Sequence, residues 1–189
     1  MGARRWAALV PALGLLATWS VQVHAQGNTA SATGIATATV VSPLAIVELA
    51  DLDFGTIAAG TGSGGTATLS PMASGVTWAG SAGPACSTTS ACAQPHAARF
   101  AVSGEPERTY VITLPANLAV LPQDGEPGAV ALTVGDFKID AESQSGSGSR
   151  RKLDATGADG FEVGATLIVP AGATPGRYRT SLPIMVTYG

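Results

Sequence analysis

The sequence predicts an all-β domain in which two sheets pack face to face. Charged residues make up 12% of the chain and aromatic residues 5%, while 24 glycines and 12 prolines interrupt it. Between these turn-forming residues lie short runs in which apolar and polar residues alternate, and alternation places every second side chain on one face of a strand. Many short strand signals at such spacing are typical of a β-sandwich.

Residues 1–25 have the features of a secretory signal peptide. Arg4 and Arg5 precede an apolar run at 7–18, and Val23-His24-Ala25 ends the segment with small residues where a signal peptidase would cleave. The apolar run is shorter than the ~20 residues that a membrane-spanning helix needs. We therefore predict general secretion with cleavage after Ala25, and no stable membrane span.

The remaining chain predicts a short extension followed by one domain. Residues 26–34 are small and polar and predict a flexible N-terminal extension, and residues 35–189 are long enough to form a single domain with its own core. The net charge of −3 provides no basic surface, so we expect no binding of nucleic acid.

The strand signals follow one another along this domain. In chain order they lie at 35–41, 44–49, 52–57, 66–69, 76–78, 99–103, 109–114, 129–137, 152–153, 161–169 and 178–188. The glycine-rich stretch 60–65 lacks the Lys-Ser/Thr of a phosphate-binding loop and predicts a hairpin loop, and 117–127 predicts turns. The predicted core includes Phe100, Val102, Tyr110, Ile112 and Leu114.

The last fourteen residues, 176–189, predict a strand at the edge of a sheet. Its alternate residues Tyr178, Leu182, Ile184, Val186 and Tyr188 form an apolar face, and the other face is mostly polar. Pro183 has no N–H to donate to a neighbouring strand, which suits an edge position. An apolar edge strand needs a partner or a cover, so the C-terminal strand is the strongest indication of function in the sequence.

Cys86 and Cys92 are the only cysteines. In an oxidising compartment two cysteines most simply pair with each other, and this pair would close the short loop C-S-T-T-S-A-C. A loop of this size predicts a contribution of about 2 kcal/mol. We predict a disulfide that holds a long surface excursion between residues 79 and 97.

Acidic and basic residues form several small groups that could carry chemistry. Asp51 and Asp53 resemble the start of a calcium loop but lack its further ligands, so we expect them to face solvent. Glu105 and Glu107 flank a proline in a tight turn and are expected to solvate a hairpin tip, and Arg150-Arg151-Lys152 is expected to form a solvated turn.

The expected domain has no catalytic or metal centre. His96 is the only histidine after residue 25, and two cysteines with one histidine make a poor metal-ligand set. No serine lies in a recognisable nucleophile context. We therefore expect no enzyme activity, no cofactor and no metal.

Four motifs resemble an uncharacterised bacterial family of secreted domains. They are A-T-A-T-V-V-S-P-L-A-I at 36–46, D-L-D-F-G-T-I at 51–57, F-A-V-S-G-E-P at 100–106 and T-Y-V-I-T-L-P at 109–115. That family is similar to the spore coat protein U group of fimbrial subunits. Gly176 and Tyr188 also occupy the positions of a glycine and a penultimate tyrosine in chaperone–usher pilins. The resemblance implies an immunoglobulin-like, pilin-type β-sandwich.

The resemblance also implies how such a subunit would assemble. In those pilins a sandwich that lacks its last strand is completed by β-strand addition, first by a periplasmic chaperone and then by the next subunit at an outer-membrane usher. Carried over, the donor segment contains Ile35, Thr37 and Thr39. The strand-acceptor edge contains Gly176, Tyr178, Leu182, Ile184, Val186 and Tyr188.

A second interpretation stays open. The chain could be a self-contained secreted β-sandwich that binds a carbohydrate or a surface partner, with the cysteine-containing excursion as its binding loop.

Overall fold

The structure is a computed structural model that describes residues 30–60, 62–72, 75–86, 94–125, 129–141 and 148–189. These residues contain thirteen strands and no helix, so the predicted all-β class is confirmed. The proposed signal peptide and Cys92 lie outside the described residues. No described helix is long and apolar enough to cross a membrane.

The chain divides into two units, Met1–Thr39 and Val40–Gly189. In the first unit, residues 30–39 form no strand and are all exposed. All strands belong to the second unit. They are β1 (Ala45–Ala50), β2 (Ile57–Ala58), β3 (Gly65–Leu69), β4 (Val76–Gly80), β5 (Gly83–Pro84), β6 (Ala98–Ser103), β7 (Thr109–Thr113), β8 (Asn117–Pro122), β9 (Leu132–Ala141), β10 (Arg150–Lys152), β11 (Ala158–Val169), β12 (Tyr178–Arg179) and β13 (Met185–Tyr188).

The larger sheet is organised around β11. Its strand order is β1-β6-β11-β9-β8-β12, and β3 with β4 extends it beside the second half of β11. Along one side of β11, residues 158–163 pair with β6 and residues 165–169 pair with β3. Strand β9 pairs with the other side. All these pairings are antiparallel. The long strand β11 thus pairs along one side with two shorter strands, β6 and then β3.

The smaller sheet, β10-β7-β13, covers only part of the larger one. Between the two sheets lies a core cluster from β6, β7 and β11, in which Phe100 and Phe161 stack with ring centroids 5.4 Å apart. A second cluster lies on the inner face of β3, β8, β9 and the end of β11, and the partly buried residues packed on it include Phe54 and Tyr178 from connecting segments and β12. A second sheet therefore covers one end of the larger sheet, whereas only shorter segments flank the other end.

The predicted core is confirmed. Phe100, Val102, Tyr110 and Ile112 are buried, and Leu114 packs against them while partly exposed. These residues alternate along β6 and β7, which is why their pattern could be interpreted from the sequence alone.

Several strand predictions differ from the structure. The strand expected at 52–57 is absent except for Ile57, which begins β2, and an isolated bridge at Asp53. Residues 35–41 form no strand, because their alternating side chains are mostly alanine and threonine and provide little apolar area to bury. Residues 117–122 were expected to form turns but form β8, whose Leu118 and Val120 pack inward against β9. The single strand expected at 178–188 is split, with β12 in the larger sheet and β13 in the smaller one.

The prediction of a solvated turn at 150–152 is wrong for Arg151. This residue is 1% exposed, and its Nε lies 2.9 Å from Oδ2 of the equally buried Asp159. The Tyr110 hydroxyl donates a second hydrogen bond of 2.8 Å to the same oxygen. A buried guanidinium is tolerated only when it is paired with an opposite charge. Here the partner lies on another strand, β11, so the residues next to Arg151 in the sequence could not indicate its burial.

Candidate functional site

Strand β13 forms an open edge of the smaller sheet. Among the described residues it pairs only with β7, and it is the last strand in the order β10-β7-β13. The Gly189 N–H donates to the Thr109 carbonyl, so Thr187 and Met185 are the other residues whose main chain faces β7. The main-chain N–H and C=O groups of Val186 and Tyr188 therefore point away from β7, toward the open edge.

The predicted acceptor face keeps its alternation through the break between β12 and β13. Along 178–188 the odd-numbered residues are exposed, while the predicted apolar residues are half-buried. Leu182, Ile184, Val186 and Tyr188 pack on the core cluster between the sheets, whereas Tyr178 packs on the second cluster and Gly176 is exposed beside Pro122. The structure thus brings four of the six predicted acceptor residues onto one cluster.

Tyr188 does more than fill an apolar position. Its hydroxyl donates to the Ser42 carbonyl at 2.8 Å and accepts from the Glu105 N–H at 2.7 Å. The Arg108 guanidinium lies 5.0 Å from the centre of the Tyr188 ring. A side chain added at Gly104 would clash with this hydroxyl, so the glycine leaves room for it. The penultimate tyrosine therefore joins the last strand to the β6–β7 turn and to the start of the domain.

Glu105 completes this junction. Its carboxylate accepts the Ser42 N–H at 2.9 Å, so both main-chain polar groups of Ser42 are held. The expectation that Glu105 and Glu107 only solvate the hairpin tip therefore needs correction. Glu107 is also engaged, because it is paired with Lys152.

A groove of about 1730 Å³ opens where the smaller sheet ends. Its floor is the second core cluster, including Leu132, Val134 and Leu167. Residues 51–60 and 172–182 line its sides, and the second of these segments leads directly into β13. The groove is thus a large opening in the sandwich beside the C-terminal strand.

Glu48 is a groove residue that the sequence interpretation missed. It pairs in register with Phe100, a core residue, so it lies on the same face of the larger sheet, although at this edge Glu48 itself is exposed. The signal was present in A-I-V-E-L-A, where the alternation places Glu48 on the same face as Ile46.

The predicted donor residues Ile35, Thr37 and Thr39 lie in the exposed segment 30–39. Ile35 is 93% exposed, which is unusual for a large aliphatic side chain. Cys86 follows β5, and its predicted partner Cys92 lies outside the described residues, so the disulfide stays a prediction.

Asp51 and Asp53, the possible calcium ligands considered in the sequence analysis, have partners within the protein. Asp53 accepts the Gly55 N–H at 2.7 Å and pairs through its main chain with His96, and Asp51 lies 3.9 Å from the His96 ring. The described residues contain no group of three or more potential metal ligands.

Burial raises the pKa of the Tyr110 hydroxyl well above its usual range, and the hydrogen bond to Asp159 raises this pKa further. Hydrogen bonds from the Ala158 N–H and from Thr156 lower the pKa of the Asp154 carboxyl, which organises the β10–β11 turn.

Comparison with known proteins identifies the family but adds no named relative. No curated protein and no solved structure matches the chain. Residues 44–188 match the domain of unknown function DUF4402, and this range includes every strand described above. The chain therefore belongs to the DUF4402 family.

Proposed function

We propose that this chain is a secreted, non-catalytic structural subunit that assembles by β-strand addition, in the manner of a fimbrial subunit. The observation that carries the proposal is the open edge of β13, where the main chain of Val186 and Tyr188 faces outward. In β-strand addition, main-chain hydrogen bonds supply affinity and alternate side chains supply specificity. An incoming strand would find both kinds of contact here.

The groove beside β13 supports the same proposal. An incomplete sandwich has a gap beside its core, and here the groove lies against buried core residues such as Leu132 and Val134. A strand that pairs with β13 would extend the smaller sheet and, continued beyond residue 182, would run along the wall of the groove formed by residues 172–182. The sandwich would then be of the immunoglobulin-like, pilin type.

The exposed segment 30–39 is the proposed donor. Its exposed Ile35, followed by Thr37 and Thr39, would enter the groove of a neighbouring subunit. A periplasmic chaperone and an outer-membrane usher are the partners that this mechanism requires, and the periplasm and cell surface are the corresponding locations. The predicted Cys86–Cys92 disulfide suits such an oxidising location.

The proposal is tested by producing residues 26–189 without any partner. We expect this chain to be unstable or to aggregate. A peptide with the sequence of residues 26–41 should keep it soluble by forming a complex with it. A scrambled peptide of the same composition is the control. A monodisperse monomer that refolds reversibly by itself would contradict strand addition and favour a self-contained binding module.

A further inference from the structure

Glu48 is an exposed carboxylate on an edge strand, on the face that its register shares with the core. Strand β1 ends the larger sheet, and Glu48 lies opposite the buried Phe100. Among the described residues it makes no hydrogen bond and no ion pair, although it lines the groove. The other two carboxylates on this side are occupied, since Asp53 accepts an N–H and Asp51 lies beside His96.

We propose that Glu48 makes the groove selective for a strand from a different protein that carries a lysine or arginine opposite it. The inference rests on the proposed function and narrows it. This groove would bind the cationic strand of a different subunit more tightly than the chain's own segment 30–39, which would still bind here but would donate mainly to that other subunit. An inward-pointing charge on an edge strand is a known device against pairing with unsuitable strands. A neutral strand would desolvate the carboxylate without compensation, whereas a cationic side chain would pair with it.

The chain's own extension lacks the required group. Residues 26–41 read Q-G-N-T-A-S-A-T-G-I-A-T-A-T-V-V and contain no lysine or arginine. A second copy of this chain would therefore place only neutral side chains opposite Glu48. Specificity of this kind combines attraction to one partner with a penalty against another.

The groove also has cations, but they lie on a different segment. Arg177 and Arg179 are exposed on the side formed by residues 172–182, and neither lies within ion-pair distance of Glu48. They do not neutralise Glu48, and they would repel a second cation, so the lysine or arginine of the incoming strand would have to lie closer to Glu48 than to Arg177 and Arg179.

The test uses residues 26–189 and four synthetic peptides. One peptide copies residues 26–41, and the other three carry I35K, T37K or T39K. Binding is measured at low and high salt to the wild-type protein, to Glu48→Gln and to the control Asp51→Asn, which removes a neighbouring exposed carboxylate that is already beside His96.

We expect one lysine peptide to bind the wild type about two- to fivefold more tightly than the neutral peptide. This preference should disappear at high salt and in Glu48→Gln, and it should persist in Asp51→Asn. Glu48→Gln should also bind the neutral peptide more tightly than the wild type does.

Equal binding of neutral and lysine peptides by the wild type, unchanged in Glu48→Gln, would overturn the selectivity and leave strand addition standing. If no peptide binds either protein and the wild type is a stable monomer, strand addition itself fails.

Discussion

At the scale of single residues, the least expected feature is the buried group formed by Arg151, Asp159 and Tyr110. One carboxylate oxygen of Asp159 receives hydrogen bonds from Arg151 at 2.9 Å and from Tyr110 at 2.8 Å. The three residues come from β10, β11 and β7, so the group connects the two sheets. Buried charges of this kind are costly to separate, because a remaining partner keeps its charge without compensation.

Replacing Arg151 with methionine is expected to lower the free energy of unfolding by about 3–5 kcal/mol, because Asp159 would keep a buried, uncompensated charge. Lys152→Met is the matched control on the same strand, since the Lys152 side chain is 43% exposed, and it should change stability by less than about 0.5 kcal/mol. Urea titration under identical conditions measures both. Equal losses in the two variants would contradict the role of Arg151.

The raised pKa of Tyr110 predicts a loss of stability at high pH. In the unfolded chain the hydroxyl ionises near its ordinary pKa of about 10, whereas in the folded chain it stays protonated. The stabilising contribution is therefore complete below pH 10 and is lost as the pH rises beyond it. Tyr110→Phe, which has no ionisable group, should show a shallower alkaline decline in thermal midpoint. Parallel curves above pH 10 would contradict this prediction.

At the scale of elements, the sequence predicted best where large apolar residues alternate. Strands β6, β7 and β11 were expected at nearly their observed bounds, because each buries every second side chain. Strand β8 was missed because Asn117 and Pro122 are typical of turns, and its pairing with β9 decides the outcome. For Glu48, the alternation along β1 predicts on which face of the strand it lies. The sequence does not predict that, among the described residues, no cation lies beside its carboxylate.

The two kinds of position along β13 give a matched pair of proline variants. Val186 directs its N–H to the open edge, so Val186→Pro should leave the β7–β13 pairing in place and prevent an incoming strand from bonding there. Thr187 directs its N–H to β7, so Thr187→Pro should unfold the sheet edge.

Circular dichroism and peptide binding separate the two effects. Val186→Pro should keep its β-sheet spectrum and lose binding of the peptide that copies residues 26–41. A variant that binds this peptide like the wild type would show that the outer edge of β13 is not the acceptor.

At the scale of the whole molecule, the incomplete cover of the larger sheet could not be predicted from the sequence. The strand count and the alternation predict two sheets, but they do not give the length of β11 that the second sheet covers. That coverage depends on which strands pair with β7, and only β10 and β13 do so among the described residues. The groove therefore follows from topology and not from any motif.

The boundary of the folded unit predicts how far the N-terminus can be shortened. Residues 30–39 are exposed and lie outside the unit that begins at Val40, so a chain starting at Val40 should match the stability of residues 26–189 within about 0.5 kcal/mol. A chain starting at Leu44 loses Ser42, whose main chain bonds both Tyr188 and Glu105. Two lost hydrogen bonds predict a cost of about 1–3 kcal/mol.

Thermal and urea unfolding compare the stability of the two shortened chains with that of residues 26–189. Mixing each shortened chain with full-length subunits tests whether it assembles. Both should accept a donor peptide, because the groove and β13 are intact, and neither should donate a strand to another subunit. A chain starting at Val40 that is as unstable as the one starting at Leu44 would show that residues 30–39 contribute to the fold. Their role would then be internal support instead of donation.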